Sequence, residues 1–254
     1  SQTSFLSFFL MHIFKLDAIH STNSFLKELV VNSELKNYTV VWARNQYSGR
    51  GQHDRIWVSE PGKNLVFSLF IAHESLSIEY LPYLSHAVSL GIYQLLKEKK
   101  IPKLKIKWPN DILSGNKKIA GILIENTFKA NFVKHSVIGI GLNVNQTTFP
   151  ESLKKATSLK SVVDKEFDLE ELLGELLKSI QKEINHCSPR NFKKIKKNYL
   201  EVLYRRNVPS MFKTSDNVPF LAKIVGVSET GQLQLTLENE EIKVFEIKEI
   251  QFLN

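Results

Sequence analysis

Four short polar constellations carry what chemistry this sequence could do. The longest is Ser48-Gly49-Arg50-Gly51-Gln52-His53-Asp54-Arg55-Ile56-Trp57, with Gln46 just ahead of it. Its glycines let backbone N–H groups approach an anion closely, because no Cβ stands in the way. Arg50 and Arg55 can hold phosphate or carboxylate in a bidentate fork. Trp57 either covers an aromatic ring or fills core, and the whole run also fits an exposed loop with incidental charge. The second constellation is Ser21-Thr22-Asn23, the third Lys107-Trp108-Pro109-Asn110-Asp111 with Lys118, and the fourth Gly139-Ile140-Gly141-Leu142-Asn143-Val144-Asn145.

Each of these sits at the end of, or inside, an element that the hydrophobic pattern predicts. Residues 12–16 read as a short strand. Ser21-Thr22-Asn23 offers an N-cap to a helix with Phe25, Leu26, Leu29 and Val30 on one side. Such polar side chains serve as caps, as ligand contacts, or as both. Residues 38–43 are a β-rich run feeding Arg44-Asn45-Gln46 and the glycine loop, and residues 65–72 are a strand with Leu65, Phe67, Leu69 and Ile71 on one face. Residues 79–99 form the clearest helix, with Pro82 tolerated in its first turn. A strand over 103–108 ends in Pro109-Asn110-Asp111, Gly115-Asn116 marks a hairpin turn, and 119–125 is the returning strand. Residues 133–144 make another strand. Gly139 and Gly141 inside it mark either a bulge or the close approach of a ligand or another chain segment. Asp168 with Glu171 resembles a capping box opening a helix through Ile184, and Ser188-Pro189 opens the next, to about Leu203.

From Arg206 the composition changes to short strands at 220–227, 232–237 and 242–247, a small all-β module expected to close as a barrel. Helices and hairpins alternate without a βαβ rhythm, so the fold class is α+β with a mixed, largely antiparallel sheet. The division expected is a domain over 1–205 and a second over 206–254. The chain contains neither a Walker A motif nor a Rossmann glycine fingerprint.

With 254 residues, 43% hydrophobic and 24% charged, the chain can bury a sizeable core. A net charge of +8 suits anionic partners, although Lys193, Lys194, Lys196 and Lys197 read first as a solvated helix face. A lone cysteine, Cys187, allows no disulfide within the chain, and no motif surrounds it. The apolar run from Phe5 to Phe14 has no basic segment before it and no small-residue cleavage site after it, and it is too short to span a bilayer. Met11 stands where a natural start could fall. The expectation is a cytoplasmic protein.

Taken together, the constellations resemble the biotin protein ligases. The matching pieces are Ser21-Thr22-Asn23, Gly49-Arg50-Gly51 with Trp57, Lys107-Trp108-Pro109-Asn110-Asp111, Lys118-Ile119-Ala120-Gly121-Ile122-Leu123-Ile124-Glu125, and Gly139 to Asn145. The resemblance covers roughly residues 12–145, and the C-terminal module is similar to the family's SH3-like domain. It implies a class II synthetase-like catalytic fold, with biotin and ATP as substrates and Mg²⁺ as the accompanying ion. It implies formation of biotinyl-5′-AMP and transfer of biotin to a lysine of a biotin carboxyl carrier protein, such as that of acetyl-CoA carboxylase.

In such an enzyme Ser21, Thr22, Asn23, Gln46, Arg50, Gly51, Gln52 and Lys118 would hold biotin. Trp57, Asn110, Asn143 and Arg55 would hold ATP or the adenylate. Lys118 and Arg50 would carry the catalytic positive charge, with Lys107 as a second cation. Asp111, with Asn110, would position the metal ion or the incoming lysine. No certain metal ligand is indicated. Many family members read GRGRxGRxW in the glycine loop; here Gln52 replaces an arginine and Asp54 a glycine. Gln52 keeps hydrogen-bonding capacity without charge, and Asp54 adds negative charge. Twenty residues precede Ser21, too few for the helix-turn-helix of the repressor members, so no sequence-specific DNA binding is expected. A homodimer through an exposed sheet edge is compatible with the resemblance. Three rivals remain: a lipoate-type ligase of the same fold, a basic nucleic-acid-binding module, and a non-catalytic biotin- or nucleotide-binding sensor.

Overall fold

The computed structural model describes residues 11–51 and 56–253. Gln52, Asp54 and Arg55 lie outside the described residues, as do residues 5–10 of the apolar N-terminal run and the side chain of Arg50. The chain forms two compact units, one of residues through Leu76 with Lys117–Leu173, the other of Ser77–Asn116 with Gly174–Asn254.

The first unit is built on a mixed sheet. β1 (Ile13–Ile19) runs parallel to β2 (Val40–Gln46), with α1 (Thr22–Asn32) between them in the chain. After a small antiparallel ribbon of β3 (Gly49–Arg50) and β4 (Ile56–Trp57), β5 (Leu65–Ser77) pairs antiparallel with β2. β8 (Lys117–Lys129) and β9 (Phe132–Leu142) form a long antiparallel hairpin, giving the order β1-β2-β5-β9-β8. Every residue from Leu65 to Ile71 is buried, not only the four odd-numbered apolar ones. A strand covered on both faces needs no alternation. Leu26 of α1 seals one face, packed with Val41, Phe70 and Val137, and Phe25, Leu29 and Val30 surround that contact.

The second unit contains α2 (Leu81–Glu98) and a hairpin of β6 (Leu104–Lys107) and β7 (Asp111–Ser114). Residues 111–114 are therefore strand, and Trp108-Pro109-Asn110 is the tight turn between two strands rather than the end of one. α3 (Leu159–Val163) is a short helix of the first unit. α4 (Leu169–Asn185) begins as expected, with the Asp168 carboxylate accepting from the Glu171 N–H at 2.8 Å. α5 (Phe192–Glu201) starts after Asn191 rather than at Ser188, because Ser188–Asn191 closes a turn first. The C-terminal strands are β10 (Pro209–Lys213), β11 (Pro219–Val227), β12 (Leu233–Leu237), β13 (Ile242–Phe245) and β14 (Gln251–Leu253). They form a five-stranded antiparallel sheet in the order β13-β12-β11-β10-β14. Among the described residues no pairing joins β13 to β14, so the expected barrel is here an open sheet. β10 and β14 escape the sequence pattern, one opening on a proline and the other only three residues long.

α2 packs an aromatic ladder against α5: Tyr83 stacks on Phe192 at 4.1 Å and His86 on Tyr199 at 3.9 Å between ring centroids. Burial, assisted by the nearby Lys196 ammonium, pushes the His86 pKa down to about 3, and its Nδ1 has no hydrogen-bond partner among the described residues. His86 is thus neutral in the fold, whereas in the unfolded chain it titrates near its ordinary value of about 6.5. Its contribution is complete above that value and lost as the pH falls from there toward 3, with a limiting slope of about 1.4 kcal/mol per pH unit. Thermal unfolding should show the melting temperature falling between pH 7 and 4.5, with His86→Phe flattening that fall while keeping the ring stack. Equal acid sensitivity in the variant would count against it.

Candidate active site

The N-terminus of α1 lies on the sheet as a buried polar cluster. Ser21 takes extended backbone geometry and caps the helix, its hydroxyl accepting from the Ser24 N–H. Ser21, Thr22, Asn23 and Gln46 are all buried. The Thr22 N–H donates to Gln46 Oε1 at 2.9 Å, and the Thr22 hydroxyl lies 3.2 Å from the same oxygen. The Ser68 hydroxyl, from the middle of β5, sits 2.7 Å from Thr22 Oγ1 and 2.5 Å from Asn23 Oδ1. Asn23 Nδ2 donates to Glu125 Oε2 at 2.9 Å, while Glu125 Oε1 accepts from the Lys27 ammonium at 2.9 Å. Four predicted residues are therefore brought together. Ser68 joins them unforeseen; its only sequence signal is a hydroxyl inside an apolar strand.

β9 supplies the floor. The β8–β9 register runs unbroken past Gly139 and Gly141, its single shift lying at Thr127/Phe128. The bulge reading therefore gives way to close approach. A Cβ at Gly139 would stand 2.3 Å from Asn23 Oδ1, and one at Gly141 2.3 Å from Trp57 Cε2. Gly121, paired across the hairpin with Gly141, would meet both the Trp57 ring and the Lys118 ammonium at 3.0 Å. The Trp57 indole thus lies against two bare backbones, with the Lys118 Nζ 5.4 Å from its ring centroid.

The backbone of Lys118 is held on both sides: its N–H donates to Lys155 O at 2.7 Å, and its C=O accepts from the Thr157 N–H at 2.9 Å. The same segment holds Asn143, whose Nδ2 donates to Thr157 O at 3.0 Å and whose C=O accepts from the Leu159 N–H at 3.1 Å. With its amide nitrogen fixed, Asn143 presents Oδ1 as an acceptor that is buried and has no partner among the described residues; the Trp57 Nε1 donor is buried and unpartnered likewise. Buried polar atoms left in that state are unusual and call for a partner. Asn64 and Gln146, also unforeseen, brace the loop after β9: Asn64 Oδ1 accepts from the Val144 N–H at 2.9 Å and its Nδ2 donates to Gln146 Oε1 at 2.6 Å.

Lys107, Asn110 and Asp111 belong to the second unit. Lys107 stands directly across the hairpin from Asp111, and its ammonium lies 4.7 Å from the Phe252 ring centroid. Trp108 is buried and donates from Nε1 to Gly231 O at 2.9 Å, so it is a packing residue that anchors the turn. Gly51 is partly buried beside β3, whose Arg50 backbone pairs with Ile56. Among the described residues no group of three or more histidine, cysteine or acidic side chains could hold a metal ion, and no helix is long and apolar enough to cross a membrane.

Residues 16–143 match the model of the biotin/lipoate A/B protein ligase family. The chain is 32% identical over 236 residues to the bifunctional ligase/repressor BirA of Bacillus subtilis, covering 91% of this chain and 71% of that protein. It is 30% identical over 168 residues to the biotin–[acetyl-CoA-carboxylase] ligase of Mycobacterium tuberculosis, covering 65% and 60%. Among solved structures it is similar to the biotin protein ligase of Aquifex aeolicus in complex with biotin and ATP, with a TM-score of 0.79, 27% identity and coverage of 96% and 99%. The biotin acetyl coenzyme A carboxylase synthetase of Helicobacter pylori, with bound biotinylated ATP, shares the fold at a TM-score of 0.60 and 23% identity, covering 92% and 99%.

Proposed function

This chain belongs to the biotin/lipoate A/B protein ligase family, and from that membership we propose that it is a biotin protein ligase. It joins biotin to ATP as biotinyl-5′-AMP and passes the biotin to a lysine of a biotin carboxyl carrier protein. The observation that supports this reading most is the row Gly139, Gly141, Asn143 on β9 and its end. Positions two apart share one face of a strand. Here that face offers a bare site under the Asn23 cluster, a bare site under Trp57, and an unsatisfied acceptor.

The chemistry assigns the roles. A biotin carboxylate oxygen attacks the α-phosphorus of ATP; the bond to the β-phosphate oxygen breaks, and pyrophosphate leaves with that electron pair. Two anions must meet, so positive charge has to be fixed where negative charge gathers. Lys118 supplies it, with Arg50, Lys107 and Arg55 as further cations. The Thr22–Gln46 cluster holds the neutral ureido ring by hydrogen bonds, and Trp57 and Asn143 hold the adenine by stacking and by acceptance. Asp111 and Asn110 are the side chains that would help hold a Mg²⁺ ion, which would offset triphosphate charge. In the second step the neutral lysine amine of the carrier attacks the acyl carbon, the carbonyl–phosphate bond breaks, AMP departs and the amine loses a proton. Holding both partners together does most of that work. The same reading has the reaction in the cytoplasm and residues 206–254 as a second domain.

The test is biotin-dependent exchange of labelled pyrophosphate into ATP, followed by labelling of a carrier domain. Exchange that requires biotin and is not supported by lipoate is expected. Its absence, or exchange driven by lipoate alone, would overturn the assignment.

A further inference from the structure

Glu125 has no assigned part in the chemistry, yet it ends the hydrogen-bond chain that runs through the biotin cluster. Counting protons along that chain fixes its direction. Both Glu125 oxygens accept, one from Asn23 Nδ2 and one from Lys27 Nζ, each at 2.9 Å. Asn23 therefore turns its nitrogen to Glu125 and its oxygen, an acceptor only, to Ser68. Ser68 is wholly buried and has one proton, committed to Asn23 Oδ1 at 2.5 Å. The 2.7 Å contact between the two hydroxyls must then run from Thr22 to Ser68. With its proton spent there, Thr22 has none for Gln46 Oε1, which already accepts from the Thr22 N–H. Lone pairs of Thr22 Oγ1 and Gln46 Oε1 are left side by side, 3.2 Å apart.

We infer that Glu125 is a positioning and specificity-determining residue: acting through Asn23 and Ser68, it makes Thr22 an acceptor, so that the cluster selects a ligand carrying a ring N–H. The inference rests on the biotin reading and deepens it. A ureido ring offers two N–H donors; a cyclic carbamate, with one N–H replaced by oxygen, brings a lone pair against a lone pair. A site built to accept from a ligand N–H rejects the analogue lacking it far more strongly than it rejects a change of shape. With a reversed chain, Ser68 would donate to Thr22 and Thr22 to Gln46, and that rejection would weaken.

The experiment compares biotin with its two cyclic-carbamate analogues, each lacking one ring N–H, in pyrophosphate exchange. In Glu125→Gln the new amide can donate to a turned Asn23, so both directions become available. Losing one committed hydrogen bond corresponds to a roughly tenfold change. The wild-type preference for biotin over the more strongly rejected analogue should therefore fall about tenfold, through KM rather than kcat. Ser68→Ala cuts the chain without touching the charged pair and should narrow the same ratio; it serves if Glu125→Gln fails to fold. If both variants lose activity toward biotin and analogue in equal proportion, Glu125 and Ser68 merely support the fold, and the inference is wrong. An absence of biotin-dependent exchange in the wild type would remove the biotin reading itself, and the inference with it.

Discussion

Lys118→Ala is expected to slow adenylate formation by a factor on the order of 10²–10³ while leaving the fold standing. The proposed charge and the backbone anchoring of this residue are separable, because its backbone bonds to Lys155 and Thr157 survive in alanine. What alanine removes is an ammonium 5.4 Å from the Trp57 ring centroid. Loss of that cation–π contact at a partly exposed site costs the fold about 0.5–1 kcal/mol. Loss of a fixed charge where negative charge develops costs far more rate, on the order of 10²–10³-fold. Pyrophosphate exchange and a thermal melt on the same preparation read both effects. A variant that exchanges at the wild-type rate would strip Lys118 of its role, and one that melts much lower would make it structural.

The glycine floor yields the second large effect, and it separates the two substrates. An added methyl group at Gly141 collides with the Trp57 ring, and one at Gly139 collides with the Asn23 amide, each at 2.3 Å. Neither neighbour is a freely moving chain end, so each must be displaced, and overpacking of this kind costs about 1–3 kcal/mol. Gly141→Ala should therefore raise the apparent KM for ATP roughly tenfold or more while changing biotin binding little, and Gly139→Ala should do the reverse. Titration calorimetry with biotin alone and exchange kinetics against ATP distinguish them. If both variants weakened both ligands alike, the floor would be a common packing surface rather than two addresses.

Much of the candidate site can be read from the chain because its residues come in local groups with a cap, a turn or a strand period attached. Ser21 and Asp168 cap the helices expected of them, and Gly139 and Gly141 alternate along β9 with Asn143 just past its end. The side chains that make those groups work are less legible. Ser68 meets Asn23 across 45 residues, Asn64 meets Gln146 across 82, and Asn23 meets Glu125 across 102. No local period encodes such pairs; they arise only once the sheet has formed. The fold shows the same division. The long periodic helices and β9 follow from pattern, whereas β7 and β14 are too short to carry one and β10 opens on a proline.

β9 also acts as a ruler. A strand advances about 3.4 Å per residue, so like-facing positions fall about 7 Å apart and Gly139 and Asn143 about 14 Å apart. The distance is fixed by covalent backbone geometry and cannot be adjusted by exchanging side chains. A molecule that engages both marks must be elongated, with unlike ends and a reactive middle. On the biotin reading, that spacing favours an elongated ligand before any individual contact distinguishes it.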